Sequence, residues 1–286
     1  MNKIFISDSD ILTLFRNRII QEGNFNANSE LFINDDKVIK IYLGDDRISK
    51  YNLSVIKNIF KKREYLDRID ELVLPLDLLV YNGKTVGFSM PYVNGNMLYD
   101  IISDNLLNKD EIKKIFIKLV NIVHIFSSLP FNFYLGDLHE KNVILDNELN
   151  VRIIDCDSFI INDRKLVLDD GVSMGKYLNI YFSPKELRKI KLSGDYFSIL
   201  CMVFNYLFSD IANYGSINTI DAIKCKVKSK VLDGIFERAN DMDNFELNEN
   251  DIVDLFNETY EYDFYDDKEL RALDEIQDAL KRIRKK

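Results

Sequence analysis

The sequence predicts an α+β fold in which a small β-rich region, residues 1–92, precedes a larger α-rich region, residues 93–286, the two forming one domain. Three observations lead there. Two apolar runs, 72–81 and 85–92, flank Asn82-Gly83, the strongest short signal for a two-residue hairpin turn. The stretch 108–127 repeats apolar residues at helical spacing, with Asn108 as N-cap and Glu111 three positions on. The late apolar segments, from 193 onward, also have helical rather than strand character.

Each element follows in chain order. Residues 36–43 (DKVIKIYL) are β-branched and partly alternating, which predicts a strand. Between 49 and 72, Leu53, Ile56, Ile59, Phe60, Leu66 and Ile69 recur among charged residues close to helical spacing. Strand, helix and the Asn82-Gly83 hairpin make a small sheet with one helix. The 108–127 helix turns an apolar face of Ile112, Ile115, Phe116, Leu119, Ile122, Val123 and Phe126. Short segments at 134–145 and 151–159 meet about a turn at Asp146-Asn147. Helices are predicted over 193–208, 251–256 and 268–283, the last amphipathic through Leu270, Leu273, Ile276, Leu280 and Ile283.

Composition narrows the function classes. At 286 residues, 47% hydrophobic and 30% charged, the chain can bury a sizeable core and is not a disordered one. There are 38 Lys and Arg against 47 Asp and Glu, a formal charge of −9, which argues against general nucleic-acid binding. Cys156, Cys201 and Cys225 form no CxxC pair, and His124 and His139 lie 15 positions apart, so neither a zinc site nor a His-based metal site is expected. Reduced, buried thiols fit a cytoplasmic protein. The first apolar run contains Asp8 and Asp10 and is not a secretory signal. The longest apolar stretch, 196–208, is shorter than the about 20 residues that cross a bilayer, so no membrane span is expected.

The chemistry concentrates in Leu135-Gly136-Asp137-Leu138-His139-Glu140-Lys141-Asn142 and in Asp155-Cys156-Asp157. An Asp precedes an Asn by five residues, a short apolar strand follows, and a second apolar strand then ends on another acid. Two such strands side by side bring Asn142 and Asp155 to one end of a hairpin. An amide oxygen and a carboxylate there suit Mg²⁺, a hard ion that takes oxygen ligands together with phosphate oxygens. Asp137 can accept a proton from an attacking hydroxyl. The same residue types also serve as plain turn formers, and spacing alone leaves both readings open.

The order of these and further motifs resembles the protein-kinase superfamily. Leu135–Asn142 is similar to its H-R-D-L-K-x-x-N catalytic loop and Asp155-Cys156-Asp157 to D-F-G. Val38-Ile39-Lys40 resembles the V-A-I-K strand, Met90-Pro91-Tyr92-Val93-Asn94-Gly95 the hinge, Ser183-Pro184-Lys185-Glu186 the A-P-E motif, and Asp195-Tyr196-Phe197-Ser198 the start of the buried D-x-W-S helix. The wording is most similar to divergent bacterial, eukaryotic-like Ser/Thr protein kinases. The resemblance implies a bilobal kinase-like fold, with residues 1–92 as N-lobe and 93–286 as C-lobe, and ATP-dependent transfer of phosphate to a protein substrate. It implies Asp137 as catalytic base, Asn142 and Asp155 as Mg²⁺ ligands, and Lys40 on the nucleotide phosphates. Backbone groups about Met90 and Tyr92 would hold adenine. It also implies an acid from the following helix on Lys40. Glu64 is the best match, its alternative being a solvated acid beside Lys61, Lys62 and Arg63.

The chain departs from the family in five places. Of the glycine-rich loop only Gly23 remains, which admits a pseudokinase that binds a nucleotide or a partner without turnover. Asp157 replaces the Gly of D-F-G, either as a ligand for Mg²⁺ or Mn²⁺ or as a turn cap. His139 replaces the catalytic-loop Lys, as in small-molecule kinases of the same fold. No Arg is identified as the usual partner of Glu186. Gly136 stands where many of these kinases carry an Arg that reads activation-segment phosphate, and Ser173 is the one well-placed acceptor in that segment. Control by a regulatory partner, by substrate supply or through the helix carrying Glu64 is expected instead.

Overall fold

The computed structural model describes residues 2–16, 29–44, 47–161, 192–209, 223 and 227–262. Ser7 opens the first helix through a capping box: its hydroxyl accepts from Asp10 N at 3.3 Å, and its own amide donates to Asp10 Oδ2 at 2.7 Å. The strand before the cap is β1 (Asn2–Phe5), and the helix is α1 (Asp8–Phe15). Neither was legible from the apolar run alone. Hydrogen bonds from the Ser7 hydroxyl and amide hold the Asp10 carboxyl below its ordinary value. The box therefore contributes above the usual carboxylate range and is lost as pH falls through the lowered value. The Tm difference between wild type and Asp10→Asn should shrink as pH is taken from neutral into that range, and a constant difference would deny the box its ionised form.

Strand β2 (Ser29–Asn34) pairs antiparallel with β3 (Lys37–Tyr42), which lies inside the predicted 36–43. The helical pattern after it becomes two helices, α2 (Arg47–Lys61) and the single turn α3 (Arg63–Leu66), because the backbone leaves helical geometry at Lys62, with φ −106° and ψ 11°. The apolar run 72–81 is strand only over β4 (Asp77–Tyr81). Pro75 splits it, since proline offers no amide and turns the residue before it away from helix. β5 (Lys84–Pro91) follows the Asn82-Gly83 turn, whose residues have φ of 47° and 77°, the two positive values a type I′ turn requires.

Five strands form one sheet in the order β1-β4-β5-β3-β2, with β1 parallel to β4 and the other pairs antiparallel. Alternation gives β3 two faces. Ile39 joins Phe32, Leu79 and Leu14 of α1 in one buried cluster. Val38, Lys40 and Tyr42 take the other face, where Phe88 stands opposite Lys40 and wholly buried. Phe88→Ala should cost about 3–5 kcal/mol of unfolding free energy by denaturant titration, the usual range for emptying a full aromatic site. A loss under about 1 kcal/mol would mean that this face repacks freely.

Further along come β6 (Gly95–Met97), α4 (Leu98–Ser103), α5 (Lys109–Phe126), β7 (Phe133–Tyr134), β8 (Val143–Asp146), β9 (Val151–Ile153) and β10 (Ile160–Ile161). The predicted cap of α5 is present, with Asn108 Oδ1 accepting from Glu111 N at 3.0 Å and Glu111 Oε2 from Asn108 N at 2.9 Å. Strands β6, β8 and β9 form a three-stranded sheet. Ile153 joins it to 71–73 by donating to Glu71 O at 2.7 Å and accepting from Val73 N at 2.9 Å. The Asp146 turn is an Asx turn, its Oδ1 accepting from Glu148 N and Asn150 N at 3.0 and 2.9 Å.

The last described elements are α6 (Leu192–Leu207), β11 (Val227–Lys228), α7 (Lys230–Ala239), α8 (Glu249–Asn257) and β12 (Glu261–Tyr262). Helix α6 is buried from Ser193 to Phe204, as its continuous apolar run predicts. Tyr206 stacks on Phe256 at 5.6 Å, and Phe204 meets Phe236 edge-on at 5.7 Å. The fold is thus mixed α+β, with a five-stranded sheet and eight α-helices among the described residues. The chain divides into two compact units, Met1–Leu107 with Ile122–Lys176, and Asn108–Asn121 with Tyr177–Lys286. Among the described residues no helix is long and apolar enough to cross a membrane. The predicted 268–283 helix, Gly23, Ser173, Cys225 and the 183–186 motif lie outside the described residues.

Candidate functional site

Strand alternation decides where Lys40 goes. It shares a face of β3 with Tyr42, and its side chain is 12% exposed. A lysine so buried needs counter-charge. The chain supplies it from the turn after β9, where Lys40 Nζ donates to Asp155 Oδ1 at 2.7 Å and to Asp157 Oδ1 at 2.8 Å. Asp155 adopts a left-handed backbone, φ 67° and ψ 46°, and leads into the 3-10 turn Cys156–Ser158. Asp and Asn tolerate that region better than other residues with a side chain. The two carboxylates differ in surroundings. Asp157 is 3% exposed, and its Oδ2 accepts from Tyr42 OH at 2.5 Å and from Asn52 Nδ2 of α2 at 3.3 Å. Asp155 is 32% exposed.

One ammonium between two carboxylates leaves the cluster one charge negative. Burial works to lower the Lys40 pKa, but Asp155 and Asp157 outweigh it, so Lys40 stays protonated well above its ordinary value. Burial raises the Asp157 carboxyl, Lys40 opposes the rise and Asp155 adds to it. Burial, then Asp157, likewise pushes up the Tyr42 phenol, which remains a donor. The Cys156 thiol between the acids is raised by burial and by both neighbours, so it is no nucleophile. A buried cluster short of positive charge attracts a cation.

The loop at 135–142 reaches the same place through its backbone. Gly136 has φ 76°, and a Cβ on it would sit 2.6 Å from Ser158 O. Ser158 Oγ lies 3.0 Å from Leu135 O. The loop before Asp137 therefore runs directly against the turn that carries Asp155. Asn142 closes the loop: its Nδ2 donates to Asp137 O at 2.9 Å, and its own carbonyl accepts from Ile154 N at 3.0 Å, one residue before Asp155. His139 caps the 3-10 turn Glu140–Asn142, Nδ1 accepting from Lys141 N at 3.2 Å, with Nε2 3.8 Å from Asp137 Oδ1. Lys141 Nζ lies over the Tyr99 ring at 4.7 Å. Gly136→Ala meets both a positive φ and a clash with backbone, and should cost on the order of 2 kcal/mol or more in stability. An unchanged Tm for that variant would contradict the packing of loop on turn.

Of the residues singled out in the sequence, Lys40, Asp155 and Asp157 come together, with Asn142 bonded beside them and Asp137 held by Asn142. Three groups are placed differently from the rest. Glu64 is exposed, in the first turn of α3 past the end of α2, and the ion-pair partners of Lys40 among the described residues are Asp155 and Asp157. Both oxygens of Asp157 are engaged within the chain, one by Lys40 and the other by Tyr42 and Asn52. The Tyr92 amide donates to Asp36 O at 2.8 Å and so is not offered to a base, while Met90 lies buried on β5 opposite Val38. Tyr42 and Asn52 were missed. Their signals were a phenol two residues from Lys40 on one strand, and an amide in line with Val55, Ile56 and Ile59 on a helix.

The donor chemistry fits a divalent hard cation. Asn142 engages Asp137 O through its nitrogen, which leaves its oxygen to ligate beside the Asp155 carboxylate. Among the described residues no group of three or more His, Cys, Asp and Glu is set to hold an ion unaided. Two oxygen ligands suit an ion that brings phosphate and water oxygens with it, as Mg²⁺ does. No protein-family model matches the chain, and no curated protein matches it.

Proposed function

We propose that this chain is an ATP-dependent phosphotransferase of the protein-kinase-like type, cytoplasmic, acting on Ser/Thr hydroxyls of protein substrates. In this reading the β-rich region through Tyr92 and the α-rich remainder are the two lobes of a kinase-like domain. The observation that supports it most is the convergence of Lys40 with three residues far along the chain from it. Lys40 is paired to Asp155 at 2.7 Å, Asn142 is bonded to the residue before Asp155, and Asp137 is held by Asn142. A binding-only module needs no such set.

The residues divide the work as follows. Lys40 offers a fixed positive charge to the nucleotide phosphates. Asn142 and Asp155 would hold Mg²⁺, which supplies charge neutralisation on the phosphates. Asp137 orients the acceptor hydroxyl and takes its proton. The acceptor oxygen then bonds to the γ-phosphorus, the bond from that phosphorus to the bridging oxygen breaks, and ADP leaves with the electron pair. His139, which stands where the resemblance expects a Lys and has Nε2 3.8 Å from Asp137 Oδ1, supports a second reading in which the acceptor is a small molecule.

The test is incubation with γ-labelled ATP and Mg²⁺ or Mn²⁺, with intact-mass reading of the chain and of a general acceptor protein. Phosphate added to protein supports the first reading. Label passing only to added small alcohols supports the second. No label transfer and no nucleotide binding would refute both.

A further inference from the structure

The ammonium of Lys40 has a buried partner that spacing along the chain does not suggest. Resting on the nucleotide-site reading above, we propose that Asp157 is the positioning residue that holds Lys40 toward the nucleotide phosphates, doing what the resemblance expects of an acid on the helix after β3, while Tyr42 and Asn52 clamp the Asp157 carboxylate. Lys40 Nζ lies 2.8 Å from Asp157 Oδ1, and Tyr42 OH and Asn52 Nδ2 lie 2.5 and 3.3 Å from Oδ2. With Asp157 only 3% exposed, solvent and salt do little to screen the pair. Helix α2 meets it with Asn52, a neutral donor that orients the carboxylate without competing for Lys40. Asp155, the more exposed acid, is the one a cation would engage. Asp157 is the acid that keeps Lys40 in place when that happens.

Two measurements on the full chain separate this idea from the reading it rests on. The first needs no nucleotide: acylation of Lys40 by the N-hydroxysuccinimide ester of acetic acid at mildly alkaline pH, followed by peptide mass. An amine held by a buried carboxylate reacts slowly. Asp157→Asn should speed Lys40 acylation by about tenfold or more, because it removes the charged hydrogen-bond acceptor that holds the amine at 2.8 Å. Adding Asn52→Asp to that variant returns the carboxylate across the same hydrogen bond and should slow the reaction again. General loosening would not be reversed in this way. Tyr42→Phe is a milder variant that removes one clamp, and it should shift the rate in the same direction even if Asp157→Asn folds poorly. Wild-type acylation rates in both Asp157→Asn and Tyr42→Phe would overturn the proposal. The second measurement is ATP–Mg²⁺ affinity by titration calorimetry. Asp157→Asn should weaken it by about tenfold, and the Asn52→Asp addition should restore it. Equal affinity of wild type and Asp157→Asn would also overturn the proposal. A wild type that binds no nucleotide would instead overturn the nucleotide reading, with the acylation rates still deciding whether Asp157 holds Lys40.

Discussion

Asp137→Asn is expected to lower the initial rate of phosphoryl transfer by about 10²–10⁴-fold, the usual worth of a positioned base, while the fold and the ATP–Mg²⁺ thermal shift are kept. Asparagine has the shape of aspartate but cannot take up a proton at neutral pH. Two of the contacts that fix this loop pass through main chain rather than through the carboxylate. Asn142 holds the Asp137 carbonyl, and Gly136 packs against Ser158 through main chain. Removing the charge should therefore spare the architecture. Transfer at the wild-type rate would mean that another group accepts the proton.

Asp155→Ala should remove metal-dependent nucleotide affinity, because it deletes an anionic oxygen ligand. It should also lower the Tm for a separate reason. Asp155 sits at φ 67°, where an alanine costs roughly 1–2 kcal/mol, and Lys40 would lose one of its two carboxylates. Asp155→Asn divides the two effects. Its backbone accepts the left-handed region, so the fold should survive, while the lost charge should still weaken ATP at matched Mg²⁺. Calorimetry on both variants checks this. Unchanged ATP–Mg²⁺ affinity in Asp155→Asn and Asp155→Ala together would place the cation elsewhere.

What the sequence revealed and what it hid follow from the range of the forces involved. The Asn82-Gly83 turn and the Asn108 cap are local, written in two to four adjacent residues, and both are present. The juxtaposition of Asn142 and Asp155 was legible because a short hairpin joins them. The partner of Lys40 was not. Counting forward to Glu64 assumes one continuous helix, and the backbone breaks at Lys62. Asp157 reads as a spare acid beside a metal motif until the face of β3 is known, since only then do Lys40 and Tyr42 turn to it together. Asn52 looks like an ordinary polar residue on a helix until α2 is docked. Pairings over 105 and 117 positions leave no local trace.

The left-handed backbone at Asp155 bears on how this site can drift over evolutionary time. Most substitutions there disturb the turn, and selection against misfolding removes them whatever the chain does. Asparagine is the exception, keeping the backbone and an oxygen while giving up the charge, and a single nucleotide change reaches it from either aspartate codon. A lineage released from the need to turn over substrate could therefore fall silent in one step and remain folded. Under the proposed phosphotransferase reading, relatives with Asn at this position and the Lys40, Tyr42 and Asn52 equivalents intact would be retired catalysts, recognisable by a scaffold that outlived its chemistry.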